Sequence, residues 1–376
     1  MNSLSGLRQV LRDFATEVEV LPAVGGAVED LERPDFEEKE DQAINSQEKI
    51  FNSVFEKDPT GESLQLYRQV SPLRRSEEHF FRFFLDGSFR SYFLGTALEN
   101  ERESPIHFAQ IGACILKRED NGLVKKEILK VENILLAGKQ RLSESVWRRL
   151  EELTETSGLK LVDLTEKDIV SGVLGDFDLR NKAGGKVRFE MRKLEISLIT
   201  EMLPKLPEGS WLIADGSLIF EPLLGNLLKE GTIKPVIGVS KNFRKDPQFV
   251  FGKGPRAERL SIFKLLAGLN SGFRTTAFSA QEGKVIFWYV RLREQKYMDY
   301  PLMGVVKVEL ANPSREPISS EIIDKISSAL LAEKEVTPHG QDTRWHAHLY
   351  PIFLAERMVK ESLLRREVIQ QYLKWR

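Results

Sequence analysis

Residues 78–98 read EHFFRFFLDGSFRSYFLGTAL. Aromatic and aliphatic side chains run up to Asp86-Gly87-Ser88 and resume beyond it, the pattern of a strand, a tight turn and a second strand. The next apolar run, IHFAQIGACILK (106–117), predicts another strand. Downstream, VRFEMRKLEISLITEML (187–203) repeats apolar residues every three or four positions, which predicts an amphipathic helix. A second Asp-Gly-Ser breaks the apolar run WLIADGSLIF (211–220), and KPVIGVSK (234–241) is a short β-branched strand ending in Lys241. Strand-like segments follow at 273–280, 284–293 and 302–310, then helical patterns at 318–333 and 350–374. Strands alternating irregularly with helices predict an α/β fold, a mixed β-sheet flanked by helices.

Outward from this core, residues 1–20 place Leu7, Val10, Leu11, Phe14 and Val18 at helical spacing. Residues 25–48 are rich in Gly, Glu and Asp and read as an acidic connector. The expected organisation is an N-terminal helix and acidic extension over 1–75, and a main domain over 76–376. Within that domain, about 119–185 reads as a helical insertion, with 127–158 helical and Trp147 and Leu150 on its buried face. The chain of 376 residues is 41% hydrophobic and 30% charged, which excludes disorder over most of its length. A formal net charge of −1 supplies no global field, so a nucleic-acid binder of this composition must gather its Lys and Arg on one face. The single cysteine, Cys114, excludes an intrachain disulfide and a Cys-rich zinc site. No run of about eighteen apolar residues is present, so no membrane span is expected. The first residues lack the basic-then-apolar order of a signal peptide, and a cytoplasmic location is the expectation.

Several catalytic signatures are missing: GKGPR (252–256) is not a Walker A loop, and neither GxSxG nor HExxH occurs. Two aspartates stand out instead. Asp86 and Asp215 each end an apolar run and precede Gly-Ser, which puts a carboxylate where a buried strand meets solvent. If the two strand ends are neighbours, they offer paired hard oxygen ligands suited to Mg²⁺ or Mn²⁺. The competing reading is that Asp-Gly makes hairpin turns. A third carboxylate is expected from the helix at 187–203, where Glu195 lies near the apolar stripe and Glu190 is the alternative. In RWHAHLYP (344–351), His346 and His348 share a face if the segment is extended; a zinc site there would need a ligand from elsewhere. Lys241, Arg244, Lys245, Lys253 and Arg256 form a basic stretch able to follow a phosphate backbone. Phe243, Phe249 and Phe251, interleaved with it, either stack on unpaired bases or belong to the core.

Taken in order, FLDGS (84–88), MRKLE (191–195), IADGSL (213–218), VIGVSK (236–241) and HAHLYPIFLAE (346–356) resemble the NurA nuclease family, over roughly residues 78–362. The resemblance implies an RNase H-like core that acts on DNA ends with Mn²⁺ or Mg²⁺. It also implies a homodimer working with HerA, a hexameric DNA-translocating ATPase. Matched position by position, Asp86 and Asp215 are the metal aspartates and Glu195, with Glu190 second, is the helix glutamate. Lys241 is the lysine of the catalytic set, and His346 or His348 its histidine, with His348 as the metal ligand. DNA, as single strands or duplex ends, is the expected substrate. A Piwi-like RNase H-fold enzyme and an inactive scaffold that binds DNA or an ATPase are the competing functions.

Overall fold

The computed structural model describes residues 3–23, 51–61, 63–73, 79–165, 179–243, 247–251, 258–294, 302–334 and 349–372. Five strands form the centre of a mixed sheet: β1 (Phe81–Glu99), β2 (Arg102–Arg118), β3 (Val124–Ala137), β4 (Trp211–Asp215) and β5 (Val236–Ser240). They lie side by side in the order β3-β2-β1-β4-β5. β2 is antiparallel to both β1 and β3, whereas β4 runs parallel to β1 and β5 parallel to β4. Three meandering strands followed by two parallel ones make the RNase H-like arrangement. β6 (Val285–Arg291) and β7 (Val305–Ala311) extend the sheet on the β5 side, with β7 antiparallel to β5. Lys160–Asp163 pairs with the end of β3 on the other side.

Helices cover both faces. α1 (Leu179–Met202) and α2 (Glu221–Leu228) pack on one face, where Val187, Leu194, Leu198, Leu223 and Leu227 meet Phe83, Leu85, Leu212 and Ala214. α3 (Ser320–Glu333) and α4 (Tyr350–Ser362) pack on the other, where Ile326, Leu330, Ile352, Ala355 and Val359 meet Phe84, Ile213, Ile237 and Val239. Strands buried on both sides carry apolar residues in unbroken runs, which is why the central segments stood out in the sequence. Among the described residues no helix is long and apolar enough to cross a membrane.

Two segments differ from the sequence expectations, and in a third the structure selects one of two open readings. Asp86-Gly87 makes no turn; β1 runs through it without a break for 19 residues. The region 127–158, expected to be helical, is α-helical only at Glu144–Ser157, after a short 3-10 turn at Lys139–Arg141, and Trp147 and Leu150 are buried there as expected. Its first part is β3, paired with β2. Among the described residues the first half of β3 has a partner on one side only, since Lys160 pairs first with Ile134. Lys125, Lys126, Glu127, Lys130 and Glu132 therefore charge an exposed sheet edge, a common protection against edge-to-edge pairing that mimics a polar helix in sequence. Finally, the basic stretch contains two antiparallel strands, Gln248–Phe251 and Glu258–Ser261. Phe249 is fully buried there against Phe278, Phe287 and Tyr289, and Phe243 packs on Tyr289, so both belong to the core.

Residues 51–73 are tied into the same body. Tyr67–Gln69 pairs with Phe273–Thr275 at the far edge of the sheet. Glu56 is buried against Arg274, with its oxygens 2.7 and 3.0 Å from the guanidinium, and also accepts from Thr276 Oγ1, the Ala277 amide and Ser320 Oγ. Burial opposes ionisation of Glu56, but Arg274 and these donors hold its carboxyl below the usual range. Removing Glu56 leaves the fully buried Arg274 with only the partly exposed Asp324, at 2.5 Å, as counter-charge. Glu56→Gln should therefore cost about 3–5 kcal/mol in urea unfolding. A loss below about 1 kcal/mol would show that the pair does not anchor this segment.

Candidate active site

The site forms because β1 is long and β4 is short. The two strands pair up to Leu85 and Ala214, and Asp86 is the next residue along β1. β4 ends at Asp215. Side chains alternate across a strand, so Asp86 shares the face of Phe84, Asp215 that of Ile213, and Lys241 that of Ile237 and Val239. All three point toward the α4 face. The Lys241 ammonium lies 3.0 Å from Asp215 Oδ2 and is largely buried.

Glu195 arrives from the opposite face, on α1. Gly87 makes room for it: a Cβ there would lie 2.4 Å from Glu195 Oε1. The Gly87 amide donates to Asp86 Oδ1 at 2.8 Å, while Asp86 Oδ2 is buried and has no hydrogen-bond partner among the described residues. Arg192, one helical turn before Glu195, donates to Glu195 Oε2 at 2.6 Å, to the Asp215 carbonyl at 3.2 Å and to the Ser217 carbonyl. Past Asp215 the chain turns at Gly216, whose φ of +97° suits glycine. The turn settles onto Gly238 of β5, where a Cβ would lie 2.6 Å from the Gly216 carbonyl oxygen. Beside it, Glu309 on β7 accepts from Ser217 Oγ at 2.7 Å and the Leu218 amide at 2.8 Å, and pairs with Lys307 at 2.6 Å.

The electrostatics follow from this crowding. Burial, then the Asp215 carboxylate, raises the Asp86 carboxyl well above its usual range; Lys241 opposes the shift, and Glu356 and Glu195 add to it. Burial also raises Glu195, against the pull of Arg192. Burial alone would lower the Lys241 ammonium, but Asp215, Asp86 and Glu356 together raise it. Glu309 is held low despite its burial, chiefly by Lys307.

Of the residues proposed from sequence, Asp215 and Lys241 are paired, Asp86 lies within electrostatic reach of both, and Glu195 comes to the same strand ends from the opposite face. Glu190 does not: its carboxylate pairs with Lys160 at 2.8 Å and Lys193 at 2.6 Å, beside the far side of β3. His346, His348, Arg244, Lys245, Lys253 and Arg256 lie outside the described residues. Sequence reasoning passed over Arg192, Glu309 and Glu356. Arg192 stands three residues before Glu195, a spacing that signals a helical ion pair. Glu356 adjoins the buried stripe Ile352, Ala355 and Val359 of α4 and pairs with Lys360 at 3.0 Å. Nothing local marks Glu309.

No family model and no curated protein matches the chain. Among solved structures, it is similar to an Argonaute from Marinitoga piezophila in complex with 5′-OH guide RNA and target DNA, at 12% identity and a TM-score of 0.28, over 77% of this chain. The same Argonaute in complex with 5′-OH guide RNA gives 10% identity and a TM-score of 0.27, over 77% of this chain. The chain spans 31% of the length of either structure. Likeness at this level carries no argument about function.

A carboxyl whose folded-state pKa is raised stabilises the fold fully below its ordinary value, and that contribution is lost as pH rises through the raised value. For Asp86 the ordinary value is 3.8, so at neutral pH the metal-free protein bears a cost for folding around it, whether the carboxyl ionises or keeps its proton. Asp86→Asn keeps the acceptor for the Gly87 amide and removes that cost. In chelator, the variant should melt above wild type at pH 7, and the gap should close below the ordinary carboxylate range. A variant that melts lower at pH 7 would contradict the electrostatic account.

Proposed function

We propose that this chain is a divalent-metal-dependent deoxyribonuclease of the NurA type. One observation supports the reading most. Asp86 and Asp215, distant in sequence, stand on one face where β4 stops, Glu195 reaches the same strand ends from the other face, and Asp86 Oδ2 is buried without a hydrogen-bond partner among the described residues. An unsatisfied buried polar atom costs about 1–3 kcal/mol, and more when charged, so such an oxygen is suited to a ligand the protein takes up. The donor set is one of hard carboxylate oxygens, which fits Mg²⁺ or Mn²⁺ better than zinc.

On this reading Asp86 and Asp215 hold the ion, with Glu195 from the helix and His348, or His346, from the segment before α4. A bound divalent ion supplies Lewis acidity toward a phosphodiester and its attacking water. Lys241 neutralises charge that builds on the phosphate during attack. Arg192 and Glu309 keep the turn after Asp215 in place, so the carboxylate does not reorganise as charge develops. Lys241, Arg244, Lys245, Lys253 and Arg256 guide the DNA, which makes binding salt-sensitive. The NurA resemblance further proposes a homodimer and a HerA-like hexameric ATPase as partner, in DNA end processing or phage defence.

A second reading has its own observation. Lys241 already pairs with Asp215 and Arg192 with Glu195, as in a structural ion-pair network. Among the described residues no three His, Cys, Asp or Glu side chains are grouped ready to hold a metal. The chain would then be a scaffold for DNA or an ATPase that does not cut.

End-labelled single- and double-stranded DNA, incubated with Mn²⁺ and with chelator, separates the two. The nuclease reading expects Mn²⁺-dependent cleavage that falls at least about a hundredfold in Asp86→Asn and in Asp215→Asn. Both variants should remain folded by thermal melt. Equal cleavage by wild type and either variant defeats the assignment, and DNA binding without cleavage by wild type selects the scaffold.

A further inference from the structure

The Lys241 ammonium is enclosed by acids on the α4 face. It lies 3.0 Å from Asp215 Oδ2, its side chain is 8% exposed, and Asp86 and Glu356 also act on it. Its backbone follows the last residue of β5, which is parallel to β4 and in register with it at Val239 and Asp215. The strand pairing therefore fixes where the lysine stem begins and aims it at the carboxylates. Its cation stands among the same oxygens that the nuclease reading assigns to a divalent ion.

We propose that Lys241 is a tethered counter-ion which holds the acidic site together in the metal-free protein and which a divalent cation must displace to load. This inference rests on the nuclease reading of the same site. The ammonium on Asp215 Oδ2 occupies an acceptor site that an incoming ion would use, and two positive charges so close repel, so lysine and ion compete for the carboxylate. Binding of the ion therefore releases the ammonium, which stays charged and needs to lose no proton. Once released, it is available to a phosphate oxygen at the same spot. The protein thus couples loading of the ion to freeing of its phosphate-binding lysine. The apparent affinity for the ion is lowered by the fraction of time that the lysine occupies the acids. Glu195 has a different guard, Arg192, which is also bonded to the Asp215 and Ser217 carbonyls and so is held in place rather than exchanged.

The test uses the full chain and Mn²⁺ as the probe. Calorimetric titration compares wild type with Lys241→Met, which keeps the length of the stem and removes the charge. The expected result is that the variant binds Mn²⁺ about tenfold tighter or more, because the internal competitor is gone. A variant that binds only when wild type does not gives the same support. Binding by wild type with equal or weaker binding by the variant overturns the inference and leaves the nuclease reading standing. Binding by neither protein overturns both. A second measurement needs no variant. In wild type, acylation of Lys241 by an amine-reactive ester, read by mass spectrometry, should rise severalfold as Mn²⁺ is added. No rise at any Mn²⁺ concentration overturns the inference even if Lys241→Met fails to fold.

Discussion

Several carboxylates are buried at one level of a β-sheet, and the protein must meet their charge without water. Desolvating a carboxylate costs several kcal/mol unless a cation or donors compensate. Each acid here meets that constraint differently. Glu195 takes Arg192, Asp215, still 24% exposed, takes Lys241, and Glu309 takes Lys307 together with a hydroxyl and an amide. Asp86 takes only the neighbouring Gly87 amide on one oxygen and leaves the other bare. Asp86 is also the acid whose carboxyl is shifted up the most plainly, by burial and then by Asp215.

The backbone builds this arrangement through lengths and gaps rather than through an unusual loop. β1 outruns β4, so a notch opens beside Asp86 where a neighbouring strand would otherwise stand. Gly87 keeps the helix side of that notch empty enough for Glu195, and Gly238 lets the Gly216–Leu218 turn settle onto the sheet. Arg192 then ties α1 to the turn from one side while Glu309 ties it to β7 from the other. Helix, turn and strand are thus fixed relative to one another by charge-assisted bonds, which are stronger than neutral ones and more geometrically selective.

This explains what could be read from the residues alone. Asp86 and Asp215 were visible because a charge that interrupts a long apolar run is conspicuous whatever the backbone does there. The mixed sheet was visible because its central strands are buried on both faces. Local turn chemistry misled at the first Asp-Gly-Ser: Gly87 serves the approach of Glu195, a tertiary demand that overrides the preference for a hairpin. At the second the same tripeptide does turn, because β4 ends there. β3 was hidden by the charges on its exposed half, and the two- and three-residue strands between 51 and 69 are too short to show any periodicity. Arg192, Glu309 and Glu356 were missed for a common reason. Their roles depend on what they face across the fold, and Arg192 alone leaves a local trace, its spacing from Glu195.

Net charge conceals the same logic. The chain as a whole is nearly neutral at −1, yet Asp86, Asp215, Glu195 and Glu356 gather around Lys241 and Arg192, with Lys360 on Glu356. When ionised, these acids outnumber the cations beside them among the described residues. Such a field draws cations and repels a phosphate backbone, and it is screened least where the groups are buried. On the proposed reading, DNA and metal therefore cannot bind independently. The ion has to arrive before, or together with, the phosphate, since without it the strand would meet carboxylates whose lysine is already engaged. Thermodynamic linkage makes the effect mutual: a site that admits DNA only when loaded must also hold its ion more tightly when DNA is present.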